Sequence, residues 1–449
     1  MRGSFLTRWR LAAAVAVVLL GGQAADAQFG IVLSGAGPVN RSMGGASTAA
    51  PLDASGALYW NPAAITGLCS SELDVGLEFL NPHSHLSSRL SIPTEDGESA
   101  ALAPQFTTFQ GSDRSDNGIF LLPTVGLVVT PECSPFVFGL GIFSAGGFSV
   151  NYPASNTNPI LTPQPPNGFG VGSLYGEAQI YQIVPTVAMR ITDRLSVGIA
   201  PTLSFARIML DPAVLGAPDD ANGDGFPTYP PATHGRVDVG GGAQAGIFYN
   251  PNDCWHFGAS IKSPQWFEDF KYNTVNEQGR PRTTQFRFDY PLMASVGASY
   301  TGLDKWVFAA DFRYIDYANA RGFESVGFDP ATGALKGLGW DGVYAVALGA
   351  QYQCTCSTSL RVGYTYNTNP IRDERTMFNI ASPLILQHTA YLGASYNVTQ
   401  CFVLSAAYAH AFWNDVEGPF ITPQGPVPGS SVESRVSADT LVLGVTVKF

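Results

Sequence analysis

The final residues of the chain alternate strictly. Leu441, Leu443, Val445, Val447 and the terminal Phe449 fall on one face, while Thr440, Gly444, Thr446 and Lys448 fall on the other. An apolar face opposed by small or polar residues at a period of two describes a strand with lipid on one side and water on the other. The pattern recurs along the chain. Trp306, Phe308, Ala310, Phe312 and Tyr314 share one face, which sends Asp311 and Arg313 to the other; Leu360, Val362, Tyr364 and Tyr366 oppose Arg361, Gly363, Thr365 and Asn367; Trp255, Phe257, Ala259 and Ile261 oppose His256, Gly258, Ser260 and Lys262. A slip of one residue would place all of these charges in lipid, so the register is strongly specified.

Short polar turns alternate with long stretches rich in Pro, Gly and Asn. The short turns fall near residues 132 to 135, 193 to 194, 250 to 254, 302 to 304, 353 to 358 and 398 to 400. The long loops fall near 88 to 117, 150 to 172, 211 to 234, 274 to 282, 320 to 339, 368 to 386 and 414 to 434. Together they join fourteen strands, with the asymmetry of an outer-membrane barrel whose periplasmic turns are tight and whose external loops are long. The fold class expected is therefore all-β, a 14-stranded antiparallel transmembrane β-barrel. A soluble sandwich or propeller would also alternate, but no blade-like repeat is present.

Composition sharpens this. Charged residues make up only 13 % and aromatic residues 12 %, with 49 Gly and 32 Pro, too little charge for an ordinary soluble surface and too many aromatic rings for disorder. Residues 1 to 27 carry a basic head (Arg2, Arg8, Arg10), an apolar run from Leu11 to Leu20 and an Ala25-Asp26-Ala27 cleavage pattern, and read as a secretory signal. Cleavage removes three arginines, so the formal charge of −11 becomes more negative and argues against nucleic acid as a partner. No later stretch is apolar over 18 residues or more. The six cysteines (Cys69, Cys133, Cys254, Cys354, Cys356 and Cys401) all border short turns. In an exported chain an even number suggests disulfides, with unpaired thiols as the alternative.

Between Gln28 and the first strand near Ser71 lies an apolar but irregular stretch with no strand pattern, read as a plug occupying the lumen, so the chain divides into 1–27 signal, 28–70 plug and 71–449 barrel. Within it, Arg41-Ser-Met-Gly-Gly-Ala-Ser-Thr-Ala-Ala50 leads to Tyr59-Trp-Asn-Pro-Ala63. This resembles the N-terminal hatch, with its Asn-Pro-Ala motif, of the FadL family of outer-membrane transporters for long-chain fatty acids and other hydrophobic compounds. Weaker matches follow at Pro123, Pro185, Ser263-Pro264, Tyr290-Pro-Leu-Met-Ala-Ser-Val-Gly297, Asp311-Phe-Arg-Tyr314 and Arg361-Val-Gly-Tyr-Thr-Tyr366. The cysteine content departs from the family pattern.

The resemblance implies a monomeric barrel closed by a lumenal hatch, with no cofactor. It also implies a route in which a hydrophobic ligand passes from an external groove to a pocket touching the start of the mature chain, then leaves sideways into outer-membrane lipid through a kink in the third strand. Phe29, Ile31, Val32 and Leu33 would line that pocket, and Asn61, Pro62 and Ala63 would form the hatch turn. From the residues themselves, Pro62 forces Asn61 into an extended conformation whose side chain can cap backbone groups. Ala145, Gly146 and Gly147 supply the side-chain-poor backbone that a kink needs, and neighbouring Pro123 and Pro185 remove ladder donors. Glycines accommodating barrel curvature are the plainer alternative.

Two other constellations bear weighing. Asp220, Asn222 and Asp224 have the spacing that begins an EF-hand calcium loop, but the twelfth position is Pro231 rather than Glu, so a plain turn is favoured over weak calcium binding. His388 and His410 lie near Ser395 and Ser405, without a nucleophile motif, and the chain is not read as an enzyme. The function expected is passive uptake of hydrophobic small molecules; a nonselective porin or a surface adhesin is the alternative.

Overall fold

The computed structural model describes residues 28–93, 106–168 and 170–449; the expected signal, residues 1–27, lies outside them. Fourteen long strands form the wall: β1 (Glu72–Pro93), β2 in two pieces (Phe106–Arg114 and Phe120–Val129), β3 (Phe136–Tyr152), β4 (Leu174–Arg190), β5 (Leu195–Asp211), β6 (Asp238–Tyr249), β7 (Trp255–Lys262), β8 (Leu292–Tyr300), β9 (Trp306–Asp316), β10 (Val343–Gln353), β11 (Thr358–Asn367), β12 (His388–Asn397), β13 (Phe402–Gly418) and β14 (Ser431–Lys448). Each pairs antiparallel with the next. The ring closes where β14 meets β1, from Lys448 opposite Glu72 to Ser431 opposite Arg89. Closure leaves no edge strand in the bilayer, where an unpaired backbone group has no water to satisfy it.

The side chains sort as the alternation requires. Ile199, Val296 and Leu392 are more than half exposed on the outer face, whereas Asp311, Arg313 and Lys262 are at most 2 % exposed on the inner one. Strands outrun the expected loops in two places. β1 continues to Pro93 and its partner piece of β2 resumes at Phe106, and β13 and β14 reach Gly418 and Ser431 across a bulge between Ala411 and Asn414. Above the bilayer a paired strand needs no apolar face, so the alternation that betrayed the lower halves is missing. The stretch expected as a loop at 274–282 likewise falls within an external hairpin, Phe270–Val275 with Pro281–Phe286.

Residues 28–70 run along the inner side of the wall. They form a two-rung hairpin (Gln28–Phe29 with Val32–Leu33), helix α1 (Gly37–Ser42), helix α2 (Ala54–Trp60) and a 3₁₀ turn (Pro62–Gly67). Inward glycines let this leader approach the strands: a Cβ on Gly258 would lie 2.0 Å from the Thr48 carbonyl oxygen, and one on Gly363 would lie 2.2 Å from the Gly44 nitrogen. Gly198, Gly246, Gly349 and Gly393 are crowded by the leader in the same way. All six cysteines are free, each beside a tight turn or just before β1, so the disulfides suggested by their even number are not formed.

Candidate functional site

The lower leader is fastened by buried charge. Asp311 on β9 accepts from the backbone of Ser47 and Thr48 (both 2.9 Å), from the Thr48 hydroxyl (2.8 Å) and from Arg313 (2.6 Å). Arg41 on α1 pairs with Glu78 on β1 and also donates to Ser34. Asp53 caps α2 through the Gly56 amide, and Asp74 on β1 takes the Ser55 amide at 2.9 Å, acceptors placed where the helix N-terminus leaves donors unpaired. Asn61 does what its position before Pro62 suggests. Its oxygen accepts from the Ala63 amide (3.0 Å), and its nitrogen donates to the carbonyls of Thr48 (2.7 Å) and of Ile247 on β6 (3.0 Å).

The tip of the leader is held differently. The Tyr317 hydroxyl accepts from the amides of Ile31 (2.8 Å) and Val32 (3.3 Å) and donates to the Phe29 carbonyl (2.5 Å). Gly30 sits at φ +70, and a Cβ there would meet the Tyr317 ring, so only glycine fits. The Arg313 guanidinium lies 3.6 Å from the centre of the Trp60 ring and 5.7 Å from that of Phe29, a cation–π stack joining tip and base. Phe29, Ile31, Val32 and Leu33 are all buried.

Beside this tip the wall is incomplete. Ladder pairs between β2 and β3 end at Thr124 opposite Phe143. Above that, β3 bulges between Ser144 and Gly146, leaving Ala145 out of register with β4. Higher still, only isolated bonds reconnect the edge, Asn117 to the Ser149 carbonyl and the Asp116 amide to the Asn151 carbonyl (both 2.8 Å). Residues 144–148 therefore have no β2 ladder. Pro123 lies at the lower corner, its carbonyl taken by the Ser144 hydroxyl at 3.1 Å, and the β4–β5 register lapses around Pro185. The freed Ala145 carbonyl accepts from the hydroxyls of Tyr290 (2.9 Å) and Tyr59 (3.2 Å), while Val32 pairs with Gly146 from inside. A Cβ on Gly146 would lie 2.1 Å from the Ile31 carbonyl oxygen.

From the external hairpin a run of rings descends toward the tip. Phe270 lies near Phe288 (6.2 Å between centres), Phe288 near Phe323 (5.0 Å), Phe323 near Trp340 (4.7 Å) and Trp340 near Tyr317 (4.9 Å), which holds the leader. Tyr272 of that hairpin donates to the Ile208 carbonyl (2.7 Å); burial pushes its hydroxyl above the usual phenol range, so it remains a donor.

A family model described as outer membrane protein transport protein (OMPP1/FadL/TodX) matches residues 17–449. The chain belongs to this family. It is accordingly an outer-membrane protein of a family of transport channels for hydrophobic compounds rather than of enzymes. Among solved structures, the toluene transporter TodX of Pseudomonas putida aligns over 93 % of this chain and 99 % of its own with TM-score 0.66 at 14 % identity. The toluene transporter TbuX of Ralstonia pickettii aligns over the same shares with TM-score 0.66 at 16 % identity. A FadL homologue of Pseudomonas aeruginosa aligns over 94 % and 100 % with TM-score 0.65 at 15 % identity. At these identities the likeness establishes the fold. No curated protein matches the chain.

The remaining sequence candidates do not converge on a FadL/TodX-type path. Asp220, Asn222 and Asp224 cap their own turn: Asp220 takes the Gly225 amide, Asn222 the Asp224 amide and Asp224 the Phe226 amide. Among the described residues no group of three or more His, Cys, Asp or Glu is arranged to hold a metal. His388 bonds Tyr364 and His410 bonds Asp439, while Ser395 and Ser405 bond each other on the opposite, inner face. Sequence reasoning missed Tyr59, Tyr290 and Tyr317, whose hydroxyls meet distant backbone and leave no local signal.

Proposed function

We propose that the chain takes up hydrophobic small molecules passively, from outside, along the aromatic run to the leader tip, and releases them sideways into outer-membrane lipid through the stretch of β3 at Ala145, Gly146 and Gly147. The observation that carries this is the coincidence of three features at one place: the lost ladder at residues 144–148, the Ala145 carbonyl bound by two tyrosines, and Val32 lying against Gly146. In this reading residues 28–70 are the hatch, Asn61, Pro62 and Ala63 its fixed turn, and Phe29, Ile31, Val32 and Leu33 the part a ligand displaces. An apolar solute gains nothing by crossing into water below, whereas lipid accepts it directly. We take the protein as a monomer whose barrel closes between its own β14 and β1. The chemistry of the path suits monoaromatic hydrocarbons, which structural relatives are named for carrying, and equally the tails of long-chain fatty acids.

The test is uptake of labelled toluene and oleate by cells with and without the protein, repeated with Gly146 and Gly147 replaced by Val. Faster uptake with the protein and its loss in the valine variant are expected. Uptake that survives the valines rejects exit through β3. A porin would instead carry a large steady ion current in planar bilayers, which a leader packed against ten or more inner positions should prevent.

A further inference from the structure

The outer face of the wall changes character where β13, β14, β1 and the upper piece of β2 rise past the apolar belt. Along β14 the outward positions run Leu443, Leu441, Asp439, Ser437, Arg435 and Glu433, while the alternate residues Val442, Thr440, Ala438, Val436 and Ser434 are buried. Carbon followed by charge marks the level at which the strand leaves the hydrocarbon, and the rings of Phe412 and Trp413 on β13 stand at that level.

The register lines up three bases there. His85 on β1 lies opposite Arg435 on β14 and, on its other side, opposite Arg114 on β2. Directly opposed residues project from one face, and bases in that relation repel. Among the described residues neither arginine makes an ion pair, although Asp415 stands opposite Arg435 in the ladder. The Arg435 guanidinium lies instead on the Trp413 ring, 4.9 Å from its centre, and the same ring meets His85 in a T-shaped contact at 5.3 Å. The acid below, Asp439, is taken by His410 (2.8 Å), His83 (3.3 Å) and the Tyr408 hydroxyl (2.5 Å).

One outward step higher, the wall is recessed. An open polar cleft of about 390 Å³ is lined by Ser87, Arg89, Gln110, Ser112, Glu417 and Glu433. From bottom to top this face therefore offers apolar carbon, a row of bases and a groove of hydroxyl, amide and carboxylate groups. Acyl chains, phosphate and sugar follow one another in the same order in a phosphorylated glycolipid. Other parts of the wall lack the sequence of layers: β9, β10 and β11 end upward in Tyr314, Tyr344 and Tyr366 and carry no outward Arg or Lys.

We propose that this face binds the phosphorylated glycolipid of the outer leaflet, with a phosphate on Arg114, His85 and Arg435, its sugar in the cleft and its acyl chains along the apolar belt below. A phosphate relieves the repulsion within the row, and the planar guanidinium fork matches its oxygens. The site borders the gap from above, since Asn117, three residues beyond Arg114, makes the bond to the Ser149 carbonyl. A lipid held there sets the height of the wall beside the opening, whether or not a ligand leaves through it.

The experiment titrates the purified full-length protein in detergent with lipid A carrying its phosphates, with phosphate-free lipid A and with inorganic phosphate, by equilibrium binding. Wild type should prefer the phosphorylated lipid by about tenfold or more, the worth of charge-assisted hydrogen bonds. Arg114→Gln combined with Arg435→Gln should abolish that preference, and Arg435→Lys should keep part of it. Lys336→Gln, at an exposed cation of an external loop, should leave it unchanged. Equal binding of the two lipids by wild type overturns the proposal, as does a preference that survives both glutamine substitutions. An equal loss in Lys336→Gln also overturns it, because it marks diffuse attraction of charge, and displacement of the lipid by inorganic phosphate does so by marking a site for a free anion. Should the doubly substituted protein fail to fold, Arg114→Gln alone and the two lipids on wild type decide.

Discussion

The base and the tip of the leader are buried alike but held by different physics. From Arg41 to Asn61 the segment is tied to β1, β6 and β9 by ionised groups and by side chains that each make several bonds, with Asp311 alone accepting four. From Phe29 to Leu33 it is tied mainly by tyrosine hydroxyls and by one pairing to β3. Hydrogen bonds to ions are roughly twice as strong as neutral ones, and breaking a buried ion pair strands a charge. The base is therefore the more firmly held end, and the end beside the gap is the one that the proposed route asks to move. A ligand that displaced only the tip would open a path without uncorking the barrel.

The largest effect should come from cutting the base. Asp311→Ala strands Arg313 and frees the amides of Ser47 and Thr48, and a buried pair broken in this way costs about 3 to 5 kcal/mol. We expect the barrel to persist while residues 40 to 50 become open to protease and planar bilayers show steady ion conduction. If the variant stays closed and protected, the base is not the anchor.

Asn61→Ala should follow. It removes bonds to Thr48, Ile247 and Ala63 from a fully buried position, for a cost of about 2 kcal/mol. Denaturant midpoints of the purified protein should fall while uptake of toluene is largely kept. An equal loss of uptake at unchanged stability would make Asn61 part of the moving element and erase the distinction between base and tip.

The same contrast explains what could be read in the sequence. The wall was legible because lipid and lumen impose a period of two on every strand, so Asp311, Arg313 and Lys262 could be assigned to the inside from their neighbours alone. Asn61-Pro62 was legible because both constraints are local. The pairing of Val32 with Gly146, the two tyrosines on Ala145 and the three bonds of Tyr317 were not, since each joins residues more than eighty positions apart through backbone atoms that every residue carries. Nor could the upper parts of β1, β2, β13 and β14 be placed, because above the bilayer the outer face no longer has to be apolar, and much of the buried inner face is polar, as at Ser84, Ser88 and Ser434. Asp220, Asn222 and Asp224 show the converse: a spacing that suggests a ligand set also builds the turn that carries it, so spacing alone does not separate the two.

The smallest effect on stability should be the most informative about the tip. Tyr317→Phe keeps the ring against Phe323 and Trp340 but deletes the hydroxyl that holds the Phe29 carbonyl and the amides of Ile31 and Val32. Neutral hydrogen bonds contribute about 1 kcal/mol each and three are lost, so the tip should open roughly a hundred times more often, with little change in global unfolding. Hydrogen exchange at residues 29 to 33 should then quicken, while amides at residues 47, 48 and 55, which bond carboxylates, keep their protection. If tip and base quicken together, the leader moves as one body and ligand entry must lift all of it. If only the tip quickens and toluene uptake rises with it, opening of five residues beside β3 is the step that limits transport.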